Sequence, residues 1–291
     1  MEKNTQISNI YYITVPSYKV PPQALREHQL ACNKFPHIKE KLDQVIVNCT
    51  EILNKFCDVY DFSKKDITTL LEGIIISVSI LNPKNTREEN KVAAGTIINS
   101  EYRFACIDLN FVNRNNVSEI GKMIIHELLH LSSQSVQKES KTKKLRMRQL
   151  GTEYLKVEDN EYKFMGTYLN EALVEAIANI IAFKNEEKYL ESIDYSGYED
   201  LIKPILNLMQ ILEKNEKGLA KEFFDLMVKT LKEGKPYLIM RFLNEKTGII
   251  LKPKEILTAD FSIILDKQKE LNKNEIPYFG NEFWQKSPEK K

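Results

Sequence analysis

The stretch Met123-Ile124-Ile125-His126-Glu127-Leu128-Leu129-His130-Leu131 decides how the chain is read. It is apolar except for two histidines and a glutamate, and it reads as a buried helix. Residues i and i+4 of an α-helix stack on one face. His126 and His130 therefore project from one side, about one turn apart. Glu127 lies about 100° round from His126, within reach of a group bound by both rings. Two imidazoles and a neighbouring carboxylate are the minimum set for a catalytic zinc ion with its general base. The helix by itself lacks a third ligand, a strand to receive substrate, an oxyanion donor and a cleft.

Just upstream, Asn116 with Glu119 three residues later forms a capping-box pattern, which starts the helix at about Val117. It runs to about Ser133, with Ile120, Ile124, Leu128 and Leu131 as its buried stripe. Before it the pattern is β. Strands are expected at Gly73–Leu81, Val92–Ile98 and Tyr102–Val112, the last two forming a hairpin about Asn99-Ser100. Further upstream, a strand is expected at 8–15, then breaks at Pro16, Pro21 and Pro22. Helices follow at 23–34 and 37–57, with a helical turn at 66–71.

Downstream, residues 134–150 are polar and basic and read as a solvated loop. Tyr154–Phe164 reads as a small hairpin about Asp159-Asn160. Helices are expected at 168–186, 198–214, 217–232, 236–245 and 253–271, and a disordered tail at 285–291.

The totals exclude several classes. A chain of 291 residues suits one large domain or two lobes sharing a cleft. With 42 basic and 41 acidic residues the net charge is +1, so no global field favours nucleic acid or an anionic membrane. Cys32, Cys49, Cys57 and Cys106 are scattered, without a Cys-x-x-Cys pair, and read as buried thiols. No apolar run reaches about 18 residues, so no membrane span is expected. The polar start of the chain lacks an apolar signal core. The expected location is cytoplasmic, with export by a signal-less route left open.

The third ligand is sought on Tyr168–Asn179, a second apolar helical pattern carrying Glu171 and Glu175 one turn apart. Two carboxylates on an apolar helix are costly unless a cation or donor faces them. Glu171 could complete a His₂Glu set that leaves one position open. Glu175 could accept the outer N–H of a ligating imidazole and fix its tautomer.

His126-Glu127-x-x-His130 followed by Asn170-Glu171-Ala-x-x-Glu175 resembles the gluzincin clan of metallopeptidases. Thermolysin-like enzymes carry a similar Asn-Glu-Ala-x-x-acidic element, and the Glu-x-x-x-Glu-Ala pattern is similar to that of anthrax lethal factor and its relatives. The close resemblance covers about 123–131 and 168–179. It implies zinc on His126, His130 and Glu171, Glu127 as general base, Glu175 behind a ligand, and a peptide or protein substrate received along an edge strand. The Phe104–Phe111 stretch occupies that place. The implied fold is α+β and zincin-like. An N-terminal extension (1–60) precedes a small mixed sheet with the active helix (61–133), and a mainly helical part (134–284) carries Glu171.

Two departures stand out. Glu171 follows His130 by 41 positions, nearer to the lethal-factor arrangement than to thermolysin-like enzymes. No histidine follows His130, so a tyrosine or arginine must steady the oxyanion. From Tyr162, Tyr168, Tyr195, Tyr198, Tyr237 and Arg241, the choice falls on Tyr168 for proximity and Tyr195 for an expected loop position. The competing readings are an inactive binding or regulatory protein on the same scaffold and a toxin-like endopeptidase with one target.

Overall fold

The structure is a computed structural model that describes residues 10–13, 19–62, 71, 74–77, 81, 92–98, 102–133, 135–140, 145–158, 161–195, 199–248, 250–257, 277–279 and 281–285. Strand β1 is Ile10–Ile13. Helices α1 (Pro22–Lys34) and α2 (Pro36–Tyr60) follow, each opening on a proline, whose fixed φ suits the first helical turn. The apolar repeat predicted for the second helix is its buried face: Ile38, Leu42, Val45, Cys49, Leu53 and Phe56 are all in the core.

Three strands then form a mixed sheet: β2 (Ile75–Ser77), β3 (Ala94–Ile98) and β4 (Arg103–Asp108). The order is β2-β4-β3, with β2 parallel to β4 and β3 antiparallel to it. The expected hairpin is present, but two expectations change. The third strand ends at Asp108, because its carboxylate accepts the backbone N–H groups of Asn110 (2.9 Å) and Phe111 (3.1 Å) and caps helix α3 (Leu109–Arg114). Among the described residues β4 is also the central strand, so the outer strands are β2 and β3.

Helix α4 (Val117–Ser132) carries the two histidines. Its capping box is complete. Asn116 Oδ1 accepts from Ser118 N and Glu119 N, and the Glu119 carboxylate accepts from Asn116 N at 2.9 Å. Asn116→Ala is expected to cost about 1 kcal/mol of folding stability, read from denaturant unfolding.

The basic stretch after α4 is not a loop. Strands β5 (Ser135–Ser140) and β6 (Leu145–Leu150) are followed by β7 (Glu153–Glu158) and β8 (Glu161–Met165), the hairpin expected there. With β1 they form an antiparallel sheet of order β1-β5-β6-β7-β8. The first strand of the chain thus pairs with one more than a hundred residues later.

The remainder of the described chain is helical: α5 (Thr167–Ala182), α6 (Glu186–Tyr195), α7 (Glu199–Asn215), α8 (Leu219–Glu233), α9 (Tyr237–Thr247), α10 (Pro253–Leu257) and α11 (Asn281–Gln285). The helix expected at 168–186 stops at Ala182, and α6 starts anew at Glu186. Most of the turn expected at 66–71, the ends of the strand expected at 73–81, the turn residues 99–100 and 159–160, residues 258–271 and the tail from 286 lie outside the described residues. The class is α+β. One apolar core runs from Ala31 to Trp284, and α5 is at its centre, packed against α2, α4, α7, α8, α10 and α11. No described helix is long and apolar enough to cross a membrane.

Candidate metal centre

Helices α4 and α5 cross so that three donor side chains converge. His126 Nε2 and His130 Nε2 are 3.0 Å apart, as the i, i+4 spacing requires. Glu171, on the second turn of α5, places Oε2 3.4 Å from His126 Nε2 and Oε1 3.4 Å from His130 Nε2. A tetrahedral ion with bonds of about 2.0–2.1 Å spaces its ligand atoms about 3.3–3.4 Å apart; each ring nitrogen stands at that distance from one oxygen of Glu171, and the two ring nitrogens are somewhat closer to each other. Among the described residues the group contains no fourth protein ligand. Two imidazoles and one carboxylate are a donor set that can hold a metal ion.

Each imidazole is held from behind. Glu175 Oε2 accepts from His126 Nδ1 at 2.6 Å, which directs Nε2 toward the site. The Asn170 side-chain amide lies 3.1 Å from His130 Nδ1. The Nδ2 end of the amide faces the ring, because Oδ1 accepts from Thr152 N; an acceptor for His130 Nδ1–H would require the amide to turn over. Asn170 is itself pinned by the β6–β7 turn, where Thr152 N lies 3.0 Å from its Oδ1. That turn comes close because Gly151 has φ +55°, and a Cβ there would meet Asn170 Oδ1 at 2.3 Å. A Gly-Thr turn in one sheet thereby fixes an amide behind a ligand on α4.

The charges support a cation. Burial alone would lower the His126 pKa, but hydrogen bonds to Glu171 and Glu175, with the charges of Glu175 and Glu127, raise it to about 10. Burial acts to raise Glu171, yet the two imidazoles hold it well below the usual carboxylate range. Glu175 is pulled down to about 2 against its burial, by the charge of Lys122 and the hydrogen bond with His126. With both rings neutral, as ligands must be, Glu127, Glu171 and Glu175 carry three negative charges against the single positive charge of Lys122. A divalent ion balances the remainder.

Glu127 is buried, on the same helix turn as His126. The Thr96 hydroxyl, from β3, donates to its Oε2 at 2.7 Å. This contact joins Glu127 to an outer strand of the mixed sheet. The Phe104–Phe111 stretch does not fill the place of an edge strand: β4 is covered on both sides, and Phe111 belongs to α3.

Tyr168 stands on the first turn of α5 with its side chain 62% exposed, and it makes no described hydrogen bond to the cluster. Tyr195 is the last residue of α6, not a loop residue. His28 accepts from Ile76 N at 3.1 Å, and His37 lies 3.3 Å from Asn113 Oδ1, so both are occupied elsewhere. All four cysteines are buried, and burial pushes the Cys49 and Cys106 thiols up to about 12. A cavity of about 420 Å³ borders the N-terminal half of α4, lined by Cys49, Ile52, Gly121, Phe183 and Lys188 among others. It contains none of the three ligands, and donor chemistry rather than cavity size locates the site.

Sequence reasoning did not assign roles to Thr96, Lys122 or Asn170. Asn170 was in view as the neighbour of Glu171, and Lys122 lies four residues before His126, on the same helix face. Thr96 offered no signal without the sheet order.

Comparison with protein-family models, with curated proteins and with solved structures gives no match.

Proposed function

We propose that the chain is a metal-dependent hydrolase. Within that class we read it as a zinc metallopeptidase of the gluzincin type, with a zincin-like arrangement of edge strand, active helix and ligand helix. The observation that carries this reading is the convergence of His126, His130 and Glu171 at near-tetrahedral spacing, beside Glu127 on the same helix. Two nitrogens and a carboxylate suit zinc, whereas calcium and magnesium take oxygen donors.

Zinc held by these residues would supply Lewis acidity, lowering the pKa of a water and polarising a carbonyl oxygen. The chain's own groups do the rest. Glu127, with Oε2 tied to Thr96, presents Oε1 to take the proton of an attacking water and pass it to the leaving amine. Glu175 and Asn170 keep the rings oriented while the charge at the site changes. Among the described residues β3 is paired on one side, and an extended peptide added on its other side would favour a peptide over other hydrolysable substrates.

The test is digestion of a mixed peptide library by zinc-loaded protein, with products read by mass spectrometry. Cleavage that a chelator removes and added zinc restores is expected. Absence of cleavage by protein carrying stoichiometric zinc, or cleavage indifferent to chelation, overturns the reading.

A further inference from the structure

Lys122 is the one lysine or arginine buried among the described residues, at 4% exposure. A buried ammonium is costly unless paired, and a lysine on a helix normally carries its charge to water along its apolar stem. Here the stem turns inward. Lys122 lies one turn before His126 on α4, and its Nζ donates to Glu175 Oε1 on α5. Glu175 is 1% exposed, and its other oxygen is the acceptor for His126 Nδ1. Asn179 Nδ2 donates to Glu175 Oε1 at 3.3 Å and to the Glu175 carbonyl at 2.9 Å, which fixes the carboxylate further. The order of contact is lysine, carboxylate, imidazole, and then the ligand nitrogen.

A salt bridge that only joined two helices would need neither the second carboxylate oxygen nor the i, i+4 placement beside a ligand. We infer that Lys122 is a positioning residue for the metal centre, acting through Glu175 to hold His126 with Nδ1 as donor and Nε2 toward the ion. This rests on the proposed metal site but not on peptidase activity. The chemistry is specific. Three carboxylates surround the two rings, and among the described residues Lys122 is the one buried lysine or arginine beside them. Without it, the side-chain donors to the Glu175 carboxylate among the described residues are His126 Nδ1 and Asn179 Nδ2, the carboxylate is held less firmly, and the ring loses part of its anchor.

The experiment measures zinc affinity by competition with a chromophoric chelator, and the visible spectrum of the cobalt(II)-loaded protein, for wild type, Lys122→Met, Lys122→Arg, Glu175→Gln and the Lys122→Met/Glu175→Gln double variant. Lys122→Met is expected to bind zinc about 10-fold more weakly, the lower end of what loss of an outer partner costs. Its cobalt spectrum should shift, and Lys122→Arg should recover most of the affinity. Because Lys122 acts through Glu175, the double variant should bind zinc no more weakly than Glu175→Gln alone. A folded Lys122→Met protein with wild-type affinity and spectrum overturns the inference, as does a double variant whose losses multiply. If Lys122→Met does not fold, the double variant, which leaves no unpaired buried charge, decides against Glu175→Gln. Wild-type protein that binds no zinc overturns both this inference and the proposed function. Zinc binding without peptide cleavage overturns the peptidase reading alone.

Discussion

Glu127→Gln is expected to hold zinc as well as wild type and to lose about 10²–10⁴-fold in kcat/KM on any peptide the protein cleaves. The substitution removes one capacity and little else. Glutamine has the shape of glutamate, which matters at a buried position, and its carbonyl oxygen can still accept from Thr96. It cannot take a proton from water and return it to an amine. None of the three converging ligand atoms belongs to Glu127, so elemental analysis should find the same zinc content. A variant that cleaves at the wild-type rate would remove Glu127 from the reaction. A variant that loses zinc along with activity would make it a structural part of the metal site.

Glu171→Ala should lose zinc altogether at concentrations that saturate wild type. Removing a direct ligand costs more than the 10–100-fold typical of an outer partner, so a loss well above about 100-fold is expected. Stability gives an independent readout. Zinc at about a thousand times its Kd adds about 4 kcal/mol to a folded protein that binds it and nothing to one that does not. Thermal unfolding of wild type should therefore rise with zinc, while Glu171→Ala stays flat. Full zinc occupancy in the variant would place the third ligand elsewhere. Glu175 cannot easily take over, since it faces His126 Nδ1 and is held there by Lys122 and Asn179.

The parts of this site that could be read from sequence are those set by local geometry. His126 and His130 share a face because of helix pitch, Asn116 and Glu119 cap because they are three residues apart, and α2 shows its apolar repeat directly. Glu171 was legible because a carboxylate on an apolar helix asks for a partner. What was not legible depends on distant pairing. Ser135–Leu150 looks like a charged loop until β1 and β7 lie beside it. The strand expected to reach Val112 ends early because Asp108 caps a helix in an apolar stretch that reads equally well as β. Sheet order has no local signature, so the sequence does not reveal that β4 lies between β2 and β3. Lys122 resembles any solvent-facing lysine until Glu175, on another helix, is placed against it.

The distribution of the site along the chain also sets when it can form. The histidines precede Glu171 by about forty residues, and the β5–β8 strands are made in between. At about 5–20 residues per second, α4 leaves the ribosome about 2–8 s before α5. Through that interval His126 and His130 have neither the third ligand nor Glu175 and Asn170 behind them. All three arrive together on one helix. The nascent chain therefore offers a bare pair of imidazoles first and the complete site in a single later event, when α5 docks. Acquisition of any ion in its final geometry waits for α5, and a chain arrested before α5 can hold one only as a two-histidine peptide would.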